Sequence, residues 1–120
     1  MSDEVEVVQL EERADWRHWL ERNHDTAPAV WLVTWKKPTG KPRVDYDAAV
    51  EEALCFGWVD SKSLAVDDER TSIYFTRRKP KSAWSESNVA RVEKLEAAGL
   101  MQAAGRRAVQ DAKRLGTWPS

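Results

Sequence analysis

The run Ala29-Val30-Trp31-Leu32-Val33-Thr34-Trp35 constrains this chain more than any other stretch, because apolar side chains occupy both of its alternating faces. A strand of period two hides both faces only as a central strand covered on two sides, so residues 29–35 are expected to lie inside a sheet with layers above and below. Its limits are clear in the sequence. Asn23 to Pro28 breaks what precedes it, and Lys36 to Pro42, with two prolines and a glycine among three lysines, reads as an exposed loop.

Helical signals flank that strand. Trp16, Trp19 and Leu20 recur at i, i+3, i+4 between Leu10 and Arg22, the stripe of a surface helix whose other sides carry Glu11, Glu12, Arg13, Asp15, Arg17 and Glu21. Asp45 is placed to cap a second helix, with Val44 and Ala49 at the two positions of a hydrophobic staple, and that helix stops at Gly57. Residues 58–66 and 71–77 read as two strands of a hairpin joined through Asp67-Asp68-Glu69-Arg70, and residues 5–8 as a short first strand. Ser85 is placed to cap a helix over 86–98, stapled by Trp84 and Val89 and ended by Gly99. Met101, Ala104, Ala108, Ala112 and Leu115 form a last stripe of small residues suited to close packing on a neighbouring helix. The expected fold is α+β: a small, mainly antiparallel sheet of three or more strands packed against helices, with a C-terminal helix pair.

At 120 residues the chain is expected to be one domain, residues 1–120. A single cysteine, Cys55, leaves no internal disulfide, and the acidic, polar stretch Met1 to Glu6 lacks the plan of a signal peptide. The expected location is cytoplasmic, and no apolar run approaches the roughly 20 residues of a membrane helix. The net charge of −1 conceals an asymmetry: residues 1–60 carry 7 Lys/Arg against 13 Asp/Glu, residues 61–120 carry 12 against 7. Two halves that pack together, self-association or a basic face for an anion would each account for it. Seven tryptophans are many for this length, and some are expected to line a groove.

Few residues offer chemistry. Cys55 follows Glu51 and Glu52 near a helix C-terminus, where negative neighbours suppress the thiolate, so it reads as structural. His18 and His24 are six residues apart with no cysteine beside them, which does not make a zinc site, and no glycine-rich phosphate loop occurs. Glu51 and Glu52 read as a solvated helix face, whereas Asp60, at a helix-to-strand junction, either binds or catalyses, or pairs with Lys62 or a neighbouring arginine. The strongest binding signal is Arg77-Arg78-Lys79-Pro80-Lys81 followed by Ser82, Trp84, Ser85 and Asn88: guanidinium forks and a free helix N-terminus both favour an anion. Arginines that are merely solvated or paired are the plainer alternative. Trp31, Trp35 or Trp84 beside Lys36, Lys37 and the arginines would also suit stacking on nucleic-acid bases, although the overall charge is not basic.

With these motifs in order, the chain resembles the YdeI/OmpD-associated, or bacteriocin-protection, family over nearly its whole length. The likeness rests on Trp19-Leu20, Val30 to Lys37, Tyr46, Glu51 to Asp60, Phe75 to Arg78, Ser82, Trp84-Ser85, Asn88, Gly99-Leu100-Met101, Gly105 and Gly116-Thr117-Trp118. The family pattern usually has proline where Arg77 stands. The resemblance implies a link to stress and antimicrobial-peptide resistance and brings no catalytic residue with it. The expected function is therefore a non-enzymatic protein binding an anionic small molecule or protein partner, without cofactor or metal. Its cleft would draw on Trp58, Asp60, Lys62, Arg77, Arg78, Ser82, Trp84, Ser85 and Asn88. A nucleic-acid-binding domain and a small enzyme using Asp60 with Arg77 or Ser85 are the alternatives.

Overall fold

A computed structural model describes residues 5–119. Its elements run β1 (Glu6–Gln9), α1 (Arg13–Asn23), β2 (Ala29–Trp35), a 3-10 turn at Lys37–Thr39, α2 (Tyr46–Cys55), β3 (Trp58–Ala65), β4 (Arg70–Arg77), α3 (Glu86–Ala97) and α4 (Ala103–Leu115). The strands form one sheet in the order β1-β2-β4-β3. β2 pairs antiparallel with β4, and β4 antiparallel with β3, but β1 runs parallel to β2. The sheet is thus mixed, not mainly antiparallel as expected. The reason lies in α1: a helix inserted between neighbouring strands returns the chain to the end it left, so β1 and β2 run the same way.

The helix starts follow the sequence signals. Asp45 accepts from the Ala48 N–H at 2.8 Å, and Ser85 Oγ accepts from the Asn88 N–H at 3.1 Å. Each bond satisfies a backbone donor that the first helical turn leaves free. The staple residues Val44 and Ala49 are both buried.

The core forms where α1 and α2 lie on one face of the sheet. Trp16 and Leu20 of α1 meet Val30 and Leu32 of β2, Ile73 and Phe75 of β4, Trp58 of β3, and Val50 and Leu54 of α2. Trp16 packs on Phe75 with ring centroids 5.0 Å apart, and its indole N–H donates to the Ala49 carbonyl, which satisfies the polar end of a buried ring. β2 is central in the sheet, but the expected cover on both faces is not found. Trp31, Val33 and Trp35 stand outside the core cluster, on a face that no helix of the described residues reaches. Both faces of β2 are apolar, so the periodicity alone does not distinguish two helical layers from one layer and an open apolar face.

Glu51 and Glu52 also depart from the solvated-face reading, at 7% and 3% exposure. Arg13 reaches both carboxylates, Arg17 donates to Glu52 at 2.7 Å, and Lys94 donates to Glu51 at 2.8 Å. Three helices are thereby tied through two acids. Burial pushes the Glu51 carboxyl up, and the bonds from Lys94 and Arg13 outweigh it, so its pKa lies below the ordinary value. The charge asymmetry of the two halves is partly settled here, since α3 meets α2 through Lys94–Glu51 and Arg91–Asp47.

Candidate functional site

The junction after α2 and the junction after β4 come together. Trp58 is the cross-strand partner of Arg77, and the Arg78 N–H donates to the Gly57 carbonyl at 2.9 Å. Gly57 has φ +78°, and a Cβ there would stand 3.0 Å from the Ala104 carbonyl oxygen, so a glycine lets both the turn form and α4 approach. Between this turn, the end of α1 and α4 lies a hollow of about 260 Å3. Phe56, Gly57, Trp58, Ala104 and Ala108 give it an apolar floor; Arg77, Arg78, Lys79 and Arg107 bring four cations, and His24, Asp25 and Asp111 complete the wall.

The cations are held without being neutralised. Arg77 Nε donates to the Ala27 carbonyl at 3.1 Å, and Arg78 Nη2 donates to the Ala83 carbonyl at 2.6 Å. The Arg78 guanidinium lies 3.9 Å from the Trp84 ring centroid, and its Nε is buried without a hydrogen-bond partner. Burial holds the Arg78 pKa below its ordinary value, against the pull of the Asp60 charge. Among the described residues none of Arg77, Arg78, Lys79 and Arg107 lies within ion-pair distance of a carboxylate, whereas Arg114 takes Asp111 at 3.2 Å. An anion in this hollow would find two anchored guanidinium forks beside apolar walls.

The residues singled out from the sequence divide into three groups. Trp58, Arg77 and Arg78 line this hollow. Trp58 is fully buried and donates from Nε1 to the His24 carbonyl at 3.1 Å, which fastens the end of α1 to the start of β3. Asp60 and Ser82 line an adjoining hollow of about 540 Å3 that shares Arg77 and Lys79 with the first, and Asp60 accepts from the Tyr46 hydroxyl at 2.8 Å rather than from Lys62. The remaining four residues lie apart from the hollow. Trp84 is buried against Trp118, Ser85 caps α3, and Asn88 accepts from Arg91. Lys62 is turned away by a bulge: Asp60 pairs with Phe75 and Lys62 with the next residue, Tyr74, so the two occupy opposite faces. The cations thus gather at Gly57 and α4, not at the start of α3; of the two pairings in the enzyme reading, Asp60 and Arg77 line one hollow and Ser85 lines neither.

Arg107 was missed by the sequence reading, and His24 was weighed there only as a zinc ligand. Arg107 follows Ala104 by three residues beside the small stripe of α4, a spacing that places it on the flank of the face α4 turns to the rest of the domain. Cys55 is fully buried; burial first, then the charge of Glu52, pushes its thiol up to about 11, with Arg17 opposing. Among the described residues no three His, Cys, Asp or Glu side chains gather as a metal site requires, and no helix is long and apolar enough to cross a membrane.

Fold and site together define an α+β domain with one mixed four-stranded sheet and a cation-lined hollow at one end of it. Residues 8–108 match a family described as a domain of unknown function, DUF8412, and the chain belongs to that family. No curated protein and no solved structure matches it.

Proposed function

We propose that this protein is a non-enzymatic binding protein that takes a small anion, a carboxylate or a phosphate ester, in the hollow beside Gly57. One observation carries the reading: Arg77, Arg78, Lys79 and Arg107 surround one partly enclosed space, and among the described residues no carboxylate pairs with any of them. A half-buried cation without a counter-charge is costly, and an incoming anion offsets that cost. The lining holds no hydroxyl or thiol to act as a nucleophile, which supports binding over group transfer. A role in stress or antimicrobial-peptide resistance, as the resemblance to the YdeI/OmpD-associated family implies, is the cellular setting we propose for it.

Tryptophan fluorescence and calorimetry at low ionic strength, with inorganic phosphate and citrate as probes, test the reading. Both probes are expected to bind, and Arg77→Ala and Arg107→Ala each to weaken them about ten-fold or more, as loss of a charge-assisted bond of about 1.5–3 kcal/mol requires. Arg77 is exposed and its one internal bond is to the Ala27 carbonyl, so the melting temperature of Arg77→Ala should stay close to that of the parent. Equal binding by the parent and both variants, or no binding by the parent, refutes the assignment.

A further inference from the structure

The face of the sheet that no helix among the described residues covers forms a second surface, separate from the hollow. Strand register sets its side chains in rows. Val7, Trp31, Tyr74 and Lys62 cross all four strands in one row; Gln9, Val33, Ser72 and Leu64 make the next; Trp35 and Arg70 follow; and Ala29, Thr76 and Val59 lie on the other side. No Asp or Glu stands at any of these positions. Carboxylates reach the face from its rim, where Glu11 accepts from the Trp35 indole, Asp67 holds Arg70 and Glu69 lies 3.9 Å from the Lys41 ammonium. Val7, Leu64 and Val66 are 62%, 56% and 44% exposed, and with Trp31 and Val33 they line a trough of about 350 Å3.

The aromatic residues on this face are ordered and each has a cation beside it. Trp31 and Tyr74 are direct cross-strand neighbours on the two central strands, their centroids 4.8 Å apart and their planes inclined at 48°. The Lys62 ammonium lies 5.1 Å from the Tyr74 centroid and 5.7 Å from that of Trp31, and Lys41 stands 3.9 Å from the Trp35 ring. Lys62 makes no ion pair among the described residues. The Asp60–Lys62 bulge is what delivers this lysine to the open face. Beyond Thr76 and Val59 the face leads to Arg77 and Lys79, through the adjoining hollow that these four residues help to line. Rings in a row with cations along the same track are the two components of a stacking platform for unpaired bases, the rings taking the bases and the lysines the phosphates.

We infer that this open face binds single-stranded nucleic acid, with Trp31 and Tyr74 stacking on bases and Lys62 and Lys41 meeting the backbone. The charge on the face selects this occupant over a second copy of the chain: face-to-face pairing of identical sheets would press the unpaired Lys62 against strand positions that carry no carboxylate. A polyanion is complementary to it. The inference is independent of the small-anion reading, since Trp31, Tyr74, Lys62 and Lys41 do not line the hollow at Gly57.

Fluorescence anisotropy of a labelled oligothymidylate, titrated with the intact protein, provides the test. Binding is expected at low salt, with log K falling against log[salt] at a slope of roughly −1.4, the value for two phosphates on a single strand. Trp31→Ala should weaken binding at least about five-fold, the low end of what loss of one stacked base costs. Trp31→Phe, which keeps a ring, should restore most of it, and Lys62→Gln should weaken binding and flatten the salt slope by about 0.7. Circular dichroism and the melting temperature serve as the folding control, and Trp31→Ala should leave the spectrum intact. No binding at low salt, equal affinity for the duplex, or full affinity in Trp31→Ala overturns the inference. So does a concentration-dependent dimer that Trp31→Ala abolishes in a protein that does not take the oligonucleotide, since that result gives the face to a second copy.

Discussion

Replacing Gly105 by alanine sets two physical effects against each other. Gly105 lies within the first turn of α4 and is buried. Alanine is the better helix former by about 1 kcal/mol, so local propensity alone predicts a gain in stability. The tertiary structure predicts the opposite. A Cβ at this position would stand 2.3 Å from the Cys55 carbonyl oxygen, 2.7 Å from its carbon and 2.7 Å from the Leu54 oxygen, all of them backbone atoms that no rotamer change can move. Restoring ordinary contact requires α4 and the end of α2 to separate by roughly 1 Å, which strains a packed interface by about 1–3 kcal/mol. The separation also stretches the bond from the Gln102 N–H to the Cys55 carbonyl, now 3.0 Å, for about 1 kcal/mol more. Set against the propensity gain, the net loss is about 2 kcal/mol, or roughly 8 °C in melting temperature for a chain of this length. Thermal and urea denaturation followed by circular dichroism measure it. Because α4 carries Arg107, the same variant should bind citrate more weakly. A melting temperature equal to the parent's or higher would refute the reasoning, since propensity would then outweigh a contact that the structure shows to be intolerable.

Three further outcomes follow from the buried polar groups. Glu52→Ala removes the acceptor shared by Arg13 and Arg17 and should cost about 2–3 kcal/mol in denaturation, less than a fully enclosed ion pair because Arg13 is partly exposed and can return to water. Glu51, held below its ordinary pKa, contributes stability that is present above the unfolded value of about 4.3 and is lost as pH falls through the lower folded value; Glu51→Gln should flatten that acid limb in a pH series. Cys55, with its thiol pushed up to about 11, should resist a disulfide exchange reagent at pH 8 in the folded protein and react at once in denaturant. The sign for its linkage is opposite to that of Glu51: stability is complete below the unfolded thiol value of about 8.5 and declines as pH rises toward about 11. Rapid labelling of the native protein would overturn the assignment.

Local rules fixed the elements of this chain, and long-range packing fixed what they do. Asp45 and Ser85 are caps in the sequence and caps in the structure, because a cap depends on residues three apart. The apolar run 29–35 is a strand in both, because side-chain alternation is a property of a single segment. Strand direction is set by the path of α1, so the parallel pairing of β1 was not visible in any one stretch. The fate of Glu51 and Glu52 depended on Arg13 and Lys94, about 40 residues to either side, and the face of Lys62 on one extra residue in the ladder. The meeting of Gly57 with Arg78 brings together the two stretches the sequence marked, while α4 adds Arg107 from a distant part of the chain. Sequence spacing settles contacts within a turn or a strand; which charges meet, and which apolar face stays open to water, is decided only when segments far apart in the chain are brought into contact.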